Sequence, residues 1–213
     1  MSGPDEGGPG QSGRNERLAW FEELYSRAGG DAGNVPWSRP GPHPGLKHWA
    51  KASSGHEGRA IDVGCGLGDN AEFLAGLGYE VTAFDLSASA VDWAKRRFPR
   101  SRVKYRVADL FALPAEWSGA FGLVGEVYTL QALPADLRQQ ALAAVAGLVA
   151  PGGRVVVVCM ARDENEPASG PPWPLAKSEL EGFRAAGLAE LSFEDVRLGE
   201  SARRHFVAVY ERL

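Results

Sequence analysis

The residues best placed to bind a ligand lie in one turn and at the end of the strand that follows it. The stretch 60–70 is an apolar strand that runs into Gly64, Gly66 and Gly68 and then into the start of a helix. Glycine permits a positive φ angle and lets a ligand approach the backbone, while the N–H groups that begin a helix attract a carboxylate or another anion. Asp85 ends the next predicted strand, 21 residues after Gly64, where its carboxylate can accept both hydroxyls of a ribose. The pattern predicts a bound nucleoside.

The glycine spacing separates two classes of nucleoside cofactor. A dinucleotide-binding turn has the form G-x-G-x-x-G. Here the spacing is G-x-G-x-G, and Asp69 stands at the last position of the dinucleotide pattern, where its negative charge would meet a pyrophosphate. S-adenosylmethionine has no phosphate and carries an ammonium and a sulfonium group, with which acids at Asp62 and Asp69 are compatible. The turn preceded by Asp62 resembles the first motif of class I methyltransferases; a nicotinamide-dependent reductase stays as an alternative.

Two further strand ends extend this resemblance. It implies that Asp109 and the adjacent Leu110, at the end of the third predicted strand, contact the adenine. An Asp at such a place also commonly closes a turn. Leu86, directly after Asp85, would form an apolar wall for the adenine ring.

Strand-like and helix-like segments alternate from Arg59 onwards. The first five predicted strands cover 59–63, 80–84, 102–107, 121–125 and 154–160, and the helices between them cover 70–77, 88–98 and 135–149. Such alternation indicates βαβ units and a parallel sheet with helices on both faces. A helix at 176–186 precedes strands at 188–196 and 205–211, which can form an antiparallel hairpin at the sheet edge. We predict an α/β, Rossmann-like, doubly wound sheet of seven strands, mostly parallel with one antiparallel edge strand.

The N-terminal part differs from this core. Residues 1–14 are rich in Gly, Pro, Ser and charge, which predicts a disordered tail. Apolar residues from Leu18 to Ala28 recur at helical spacing, and Gly29 and Gly30 end the helix. We predict one domain over 15–213, in which helices in 15–55 form a lid over a core at 56–213.

Composition limits the partners. The chain has 213 residues, a formal net charge of −4 and two cysteines, Cys65 and Cys159, which form neither a disulfide framework nor a metal-binding pair. No apolar run reaches the roughly 18 residues of a membrane span, and the N-terminus has no apolar signal region. Basic residues crowd 95–106, and we interpret them as a solvated face rather than an RNA site. We expect a cytoplasmic monomer or weak homodimer without metal, membrane or nucleic acid.

The chemistry is expected at the carboxyl ends of the strands, where ligands bind in open α/β sheets. Glu126 follows the fourth strand, and it is a candidate to pair with the cofactor ammonium or to orient the methyl acceptor. The four histidines, at 43, 48, 56 and 205, are scattered, and no His/Asp base pair is recognisable. A thiol supplies its own thiolate more easily than an alcohol or amine loses a proton. The lack of a recognisable base therefore favours a reactive acceptor such as a thiol.

A narrower resemblance concerns the lid and the last third of the chain. Trp20 with Tyr25, the segments 35–37 and 42–46, Glu126 with 130–133 and Arg138, and 170–172 before Glu179 resemble the thiopurine methyltransferase family, which includes thiol and halide methyltransferases. The resemblance implies that Trp20 and Trp37 lie over the cofactor. It also implies that the loop 161–175 borders the acceptor, with Arg162 as a contact for an anionic or electron-rich group. Aromatic rings near a sulfonium are physically reasonable, since cations are attracted to ring faces.

Taken together, these residues predict transfer of a methyl group from S-adenosylmethionine to a small-molecule nucleophile, with a thiol sulfur favoured. An oxygen or nitrogen acceptor is the nearest alternative. A regulatory module that binds the cofactor without catalysis is a second one.

Overall fold

The structure, a computed structural model, describes residues 9–199 and 202–213. Within them, the helices are Pro9–Arg27 (α1), Pro44–Ala52 (α2), Asp69–Leu77 (α3), Ala88–Arg97 (α4), Thr129–Ala132 (α5), Ala135–Leu148 (α6) and Gly182–Ala185 (α7). The strands are Arg59–Val63 (β1), Glu80–Asp85 (β2), Lys104–Val107 (β3), Phe121–Val127 (β4), Val149–Met160 (β5), Leu188–Leu198 (β6) and Arg203–Arg212 (β7).

All of these strands belong to one sheet with the order β3-β2-β1-β4-β5-β7-β6. The strands β1 to β5 pair in parallel, and β7 runs antiparallel to both β5 and β6. The predicted fold class is confirmed. The strand of opposite direction is β7, which lies one place inside the edge, so the hairpin of β6 and β7 forms the edge and β6 is outermost.

The centre of the sheet is buried on both faces. The residues Val155, Val156, Val157 and Val158 of β5 are each fully buried. Val155 and Val157 join the core that contains α6, whereas Val156 and Val158 join the core that contains Leu46 of α2 and residues of α3. A parallel strand covered by helices on both sides needs such a continuous apolar run. This burial of both sheet faces by helices explains why strand-like and helix-like segments alternate in the sequence.

One predicted helix is wrong in form. The segment 176–186 consists of a 3-10 turn at Lys177–Leu180 and the single-turn helix α7. A Cβ atom at Gly182 would come within 2.7 Å of Leu142 Cδ1, so the chain passes close to α6 at this point. Glycine also disfavours a helix by about 1 kcal/mol relative to alanine. Gly182 begins α7, so the close approach to α6 lies at the point where the 3-10 turn gives way to this short helix.

The helix α1 begins at Pro9, so residues 9–14, predicted as part of a disordered tail, are helical. Once the apolar stripe has formed a helix, adding a residue costs little, because the nucleation cost is met only once. The rest of that predicted tail, 1–8, lies outside the described residues.

Polar contacts fasten α1 over the carboxyl ends of the strands. The Arg17 guanidinium donates to both carboxylate oxygens of Asp136 in α6, at 2.8 and 2.7 Å. Near the middle of α1, Glu22 accepts from the Ser87 hydroxyl at 2.7 Å and from the Ser89 N–H at 3.2 Å, where α4 begins. These contacts join α1 to helices on both sides of the sheet, and its role as a lid stays a prediction.

None of the described helices combines the length and the apolar character that a membrane crossing requires.

The packing of β1 gives a test of the core. Ile61 is fully buried, and Ile61→Ala should lower the free energy of unfolding by about 2–5 kcal/mol, because the substitution leaves a cavity. Leu191 is 49% exposed, and Leu191→Ala should change it by less than about 0.5 kcal/mol. Urea unfolding of both variants measures the difference, and equal losses would contradict the described burial.

Candidate active site

The glycine turn between β1 and α3 has the backbone that its residues predict. Gly64, Gly66 and Gly68 have φ angles of 62°, 50° and 89°. A Cβ atom at Gly66 would lie 2.8 Å from the Tyr25 hydroxyl oxygen, and one at Gly64 would overlap the side chain of Thr129. Larger residues would therefore strain the backbone and displace the side chains that surround the turn.

Asp85 holds this turn in place. The carboxylate is 8% exposed; Oδ2 accepts the N–H of Gly66 and Oδ1 accepts the N–H of Ser87, both at 2.9 Å. Burial raises the pKa of Asp85, and these N–H groups act in the opposite direction. A carboxylate has about four acceptor positions. Positions that the backbone N–H groups leave free can accept a hydroxyl group of a ligand.

A cavity lies beside the turn and is open to solvent; its empty space, together with the adjoining open solvent, is about 740 Å³. The strand ends and the loop after β3 contribute Val63, Gly64, Phe84, Asp85, Leu86, Ala108, Asp109, Leu110 and Phe111. The lid, the end of β4, α5 and the segments near them contribute Leu18, Phe21, Tyr25, Trp37, Val127, Tyr128, Thr129, Ala132, Leu133 and Pro172. The cavity thus brings together Gly64, Asp85, Leu86, Asp109 and Leu110, as the sequence predicts. Of the described residues that line it, only Asp85 and Asp109 carry a charge.

A second depression of about 490 Å³ shares Trp37, Gly64, Val127 and Tyr128 with the first. Its other residues are Ser38, Arg39, Gly41, His43, Cys65, Gly66, Leu67, Asp69 and Asn70. The two spaces therefore meet at the glycine turn, one largely apolar and the other polar.

Two buried acids lie beneath the turn rather than in the wall of either space. Asp62 is 1% exposed, and its Oδ2 has no hydrogen-bond partner. Glu126 is fully buried; its Oε1 accepts the Leu130 N–H at 2.9 Å, and its Oε2 has no partner. Burial, with the nearby charges of Asp85 and Glu126, raises the pKa of Asp62 to about 8. Burial raises the pKa of Glu126 to about 7. Both side chains suit a nearby cation, and direct contact of Glu126 with a ligand stays a prediction.

The two predicted tryptophans occupy different positions. Trp37 lines both spaces, and its Nε1–H donates to the Tyr25 hydroxyl at 2.8 Å. Trp20 stacks on Phe21 with a centroid distance of 4.1 Å and borders a separate surface depression instead. The cavity face of α1 carries Leu18, Phe21 and Tyr25, which share a helical stripe that excludes position 20. The prediction that Trp20 covers the ligand is therefore not supported by the geometry.

Arg162 holds its own loop together. Its guanidinium donates to the carbonyl oxygens of Pro174, Asp163, Glu164 and Glu166 and to the carboxylate of Glu179. Arg162 is absent from the described walls of both spaces. A contact between Arg162 and an acceptor stays a prediction that this arrangement does not support.

One residue of the basic segment 95–106 contacts the glycine turn. Arg97, at the end of α4, donates to both oxygens of Asp69, at 2.5 and 3.0 Å, and to the Leu67 carbonyl at 2.6 Å. The charge of Asp69 is thus paired within the protein. This pairing weakens the electrostatic part of the argument against a dinucleotide, whereas the glycine spacing itself is unchanged.

A cluster of His43, Tyr128 and His205 was not predicted from the sequence. The Tyr128 hydroxyl lies 2.6 Å from His205 Nε2, and the ring centroids of His43 and Tyr128 lie 4.7 Å apart. The pairing of β7 with β5 sets Met160 opposite His205. These residues are far apart in the sequence, so only the sheet topology could have revealed the cluster.

His43 is a neutral donor at the polar depression. Its Nδ1 accepts the N–H of Gly45 at 3.0 Å, so the ring proton is on Nε2. Nε2 is buried without a partner, and burial with the charge of Arg39 lowers the pKa of His43 to about 3. A buried N–H beside the guanidinium of Arg39 suits a carboxylate ligand.

Comparison with known proteins gives a family match and two informative relatives. Residues 60–153 match the methyltransferase domain family. The chain is 28% identical over 171 residues to a probable thiol methyltransferase 2 of Arabidopsis thaliana, a match that covers 75% of this chain and 74% of that protein. It is 26% identical over 152 residues to a 2-heptyl-1-hydroxyquinolin-4(1H)-one methyltransferase of Mycobacteroides abscessus, with coverage of 70% and 66%.

Solved structures support the same fold. A Burkholderia thailandensis 1,6-didemethyltoxoflavin-N1-methyltransferase, with bound 1,6-didemethyltoxoflavin and S-adenosylhomocysteine, is similar with a TM-score of 0.68. The identity is 18%, and the alignment covers 100% of this chain and 93% of that one. At this identity, the likeness concerns the fold.

The buried acid Glu126 gives a pH-dependent test. Because its pKa is raised from 4.5 to about 7, its protonation stabilises the folded state; this contribution is complete below about pH 4.5 and is lost as the pH rises to about 7. Glu126→Gln keeps an oxygen for the Leu130 N–H and cannot ionise. From pH 4.5 to 7.5, wild type should lose roughly 3 kcal/mol of unfolding free energy relative to this variant.

Urea unfolding across that range measures the difference. Glu57 is exposed, and Glu57→Gln should follow the wild-type curve. A constant difference between wild type and Glu126→Gln would contradict the raised pKa.

Proposed function

From the premise that this chain is an S-adenosylmethionine-dependent methyltransferase, we propose that it methylates a small, largely apolar compound at a thiol sulfur. An oxygen acceptor is the second candidate. The single observation that carries the proposal is the open cavity that extends from the glycine turn to apolar residues of the lid.

The residues around the turn fit the parts of S-adenosylmethionine. Asp85 would accept the ribose hydroxyls, and Leu86, Asp109 and Leu110 would border the adenine. The acids beneath the turn have unpartnered oxygens, and the charge of an ammonium group nearby would favour their ionised forms. His43 would donate to the carboxylate. When bound, the cofactor supplies a methyl group on a positively charged sulfur, ready for direct displacement.

The acceptor would lie against the side of the cavity that the lid and α5 contribute. Leu18, Phe21, Leu133 and Pro172 line this side, and none carries a charge. A charged acceptor would lose its hydration there without a compensating partner. A lid over the bound reactants would exclude water and help to hold the reacting groups in line. These properties favour a neutral compound with one nucleophilic atom.

Support for sulfur over oxygen comes from two sources. The Arabidopsis relative is a probable thiol methyltransferase, whereas the Mycobacteroides relative is a hydroxyquinolone methyltransferase, which favours the second candidate. A thiol ionises near pH 8.5 and needs less help to lose its proton. The lack of a recognisable base in the sequence does not favour sulfur here, because Tyr128 lines the cavity and its hydroxyl lies 2.6 Å from His205 Nε2.

Transfer from labelled S-adenosylmethionine to paired acceptors tests the proposal. The panel contains thiophenol and phenol, benzylthiol and benzyl alcohol, glutathione as a charged thiol, an aniline and iodide. We expect methylation of the apolar thiols above that of their oxygen counterparts, and none of glutathione. Transfer to phenols but never to thiols would replace sulfur by oxygen, and cofactor binding without turnover would favour a regulatory module.

Asp85 tests the cofactor site directly. Asp85→Ala removes the acceptor of the ribose hydroxyls, and it should weaken binding of S-adenosylhomocysteine by about 100-fold or more in calorimetry. Asp85→Asn keeps one oxygen acceptor and should lose less. Asp92→Ala, on the exposed side of α4, is the matched control.

Circular dichroism of each variant separates lost binding from lost structure. Unchanged affinity in a folded Asp85→Ala protein would refute the assignment of the ribose site.

A further inference from the structure

Tyr128 has an unusual backbone at the junction of the two spaces. Its φ angle is 71°, in the left-handed region that favours glycine, and its N–H still donates to the Val158 carbonyl at 3.0 Å. A bulky residue in this conformation is strained, and such strain concentrates at functional sites. The turn away from the strand direction at the end of β4 makes the Tyr128 side chain part of both walls.

The hydrogen bonds of His205 indicate which of its ring nitrogens carries the proton. His205 Nδ1 lies 2.7 Å from the Arg203 carbonyl oxygen, which can only accept, so Nδ1 carries the ring proton. Nε2 of the neutral ring is then an acceptor, and it lies 2.6 Å from the Tyr128 hydroxyl. Tyr128 therefore donates its proton to His205. The phenol oxygen also accepts a hydrogen bond from the Arg39 side chain, and its second lone pair can accept one from a ligand.

The surroundings keep Tyr128 and His205 each in one protonation state at neutral pH. His205 is 3% exposed, and burial lowers its pKa, aided by the charges of Arg39 and Arg203 and opposed by the Arg203 carbonyl. Burial raises the pKa of Tyr128, aided by Cys159 and opposed by Arg39 and Arg203. The Arg39 guanidinium lies 5.8 Å from the Tyr128 ring centroid, and neutral His43 contacts the same ring. At neutral pH the phenol is thus protonated and the imidazole is neutral.

We propose that Tyr128 accepts the proton of the methyl acceptor and that His205 accepts the proton of Tyr128. This inference rests on the proposed function and adds the path of the proton. As the acceptor atom uses a lone pair to bond the methyl carbon, the electron pair of the broken carbon–sulfur bond stays on sulfur. The acceptor's proton moves to the Tyr128 oxygen, and the Tyr128 proton moves to His205 Nε2. The sulfonium thereby loses its positive charge, and the protonated imidazole of His205 carries it instead.

In this scheme Tyr128 touches the acceptor and is a catalytic residue, whereas His205 acts through it. Proton transfer through Tyr128 should raise the rate most for acceptors with a high pKa. A phenol has a pKa near 10 and a thiol one near 8.5, so the same substitution should affect the two unequally. A role in packing alone would affect them alike.

Three substitutions separate the steps. Tyr128→Phe keeps the ring and removes the hydroxyl. His205→Gln offers an amide oxygen that can accept a hydrogen bond but takes no proton at neutral pH. Tyr79 forms a second Tyr–His pair, 3.4 Å from His56 Nδ1, at the amino end of β2 and outside both described walls. Tyr79→Phe is therefore the matched control.

Nitrogen-15 NMR of the imidazoles gives a result that does not depend on turnover. At pH 7, we expect His205 as the neutral form protonated on Nδ1, and Tyr128→Phe should shift its Nε2 resonance while Tyr79→Phe leaves it unchanged. A proton on Nε2, or an imidazolium at pH 7, would overturn the proposal even if no acceptor in the panel is methylated.

Rates with a matched phenol and thiol complete the test. Tyr128→Phe should lower kcat for the phenol about 100-fold and for the thiol less than about 10-fold. His205→Gln should show the same selective loss with little change in KM, and Tyr79→Phe should match wild type. Equal losses for both acceptors, or no loss, would overturn the proton path.

Calorimetry with S-adenosylhomocysteine distinguishes failure of the proposed function from failure of the proposed proton path. All three variants should bind it as wild type does. If wild type itself fails to bind, the proposed function fails, whereas the NMR result still decides whether Tyr128 and His205 are arranged as described.

Discussion

The carboxylate of Asp85 is the interaction on which the site depends. It joins the glycine turn to the end of β2 and, through the Ser87 N–H, to the start of α4. The Ser87 side chain in turn accepts from the Ala90 N–H and donates to Glu22 of the lid. One buried acid thus fixes the turn, a helix start and the predicted lid together. Because its oxygens retain free acceptor positions, a ribose can join this network without breaking it.

The parts of the site that the sequence predicted are those that depend on neighbouring residues. An apolar strand followed by alternate glycines predicts a turn with positive φ, and Asp85 and Asp109 follow from the end of a strand. Gly64, Asp85, Leu86, Asp109 and Leu110 accordingly line one cavity. The ends of parallel strands must meet at one edge of the sheet, so local patterns were enough to bring these residues together.

The parts that the sequence did not predict depend on distant contacts or on the rotation of a helix. Whether Trp20 or Phe21 faces the cavity is decided by the angle at which α1 lies on the sheet. The contacts of Arg162 depend on the path of its loop, in which several carbonyl oxygens accept hydrogen bonds from its guanidinium. Tyr128 and His205 meet only because β7 lies beside β5. No spacing in the sequence carries that information.

The distribution of charge around the turn explains why one ligand suits both spaces. Beneath the turn, Asp62 and Glu126 have unpartnered oxygens and raised pKa values, so an incoming cation would favour their ionised forms. Across the polar depression, Arg39 and the Nε2–H of His43 favour an anion. The larger cavity offers little charge beyond its two acids. A nucleoside that carries an ammonium, a carboxylate and a sulfonium can meet each of these surroundings at once. A dinucleotide would instead bring two phosphates near the buried acids, and their negative charge would oppose ionisation of these acids.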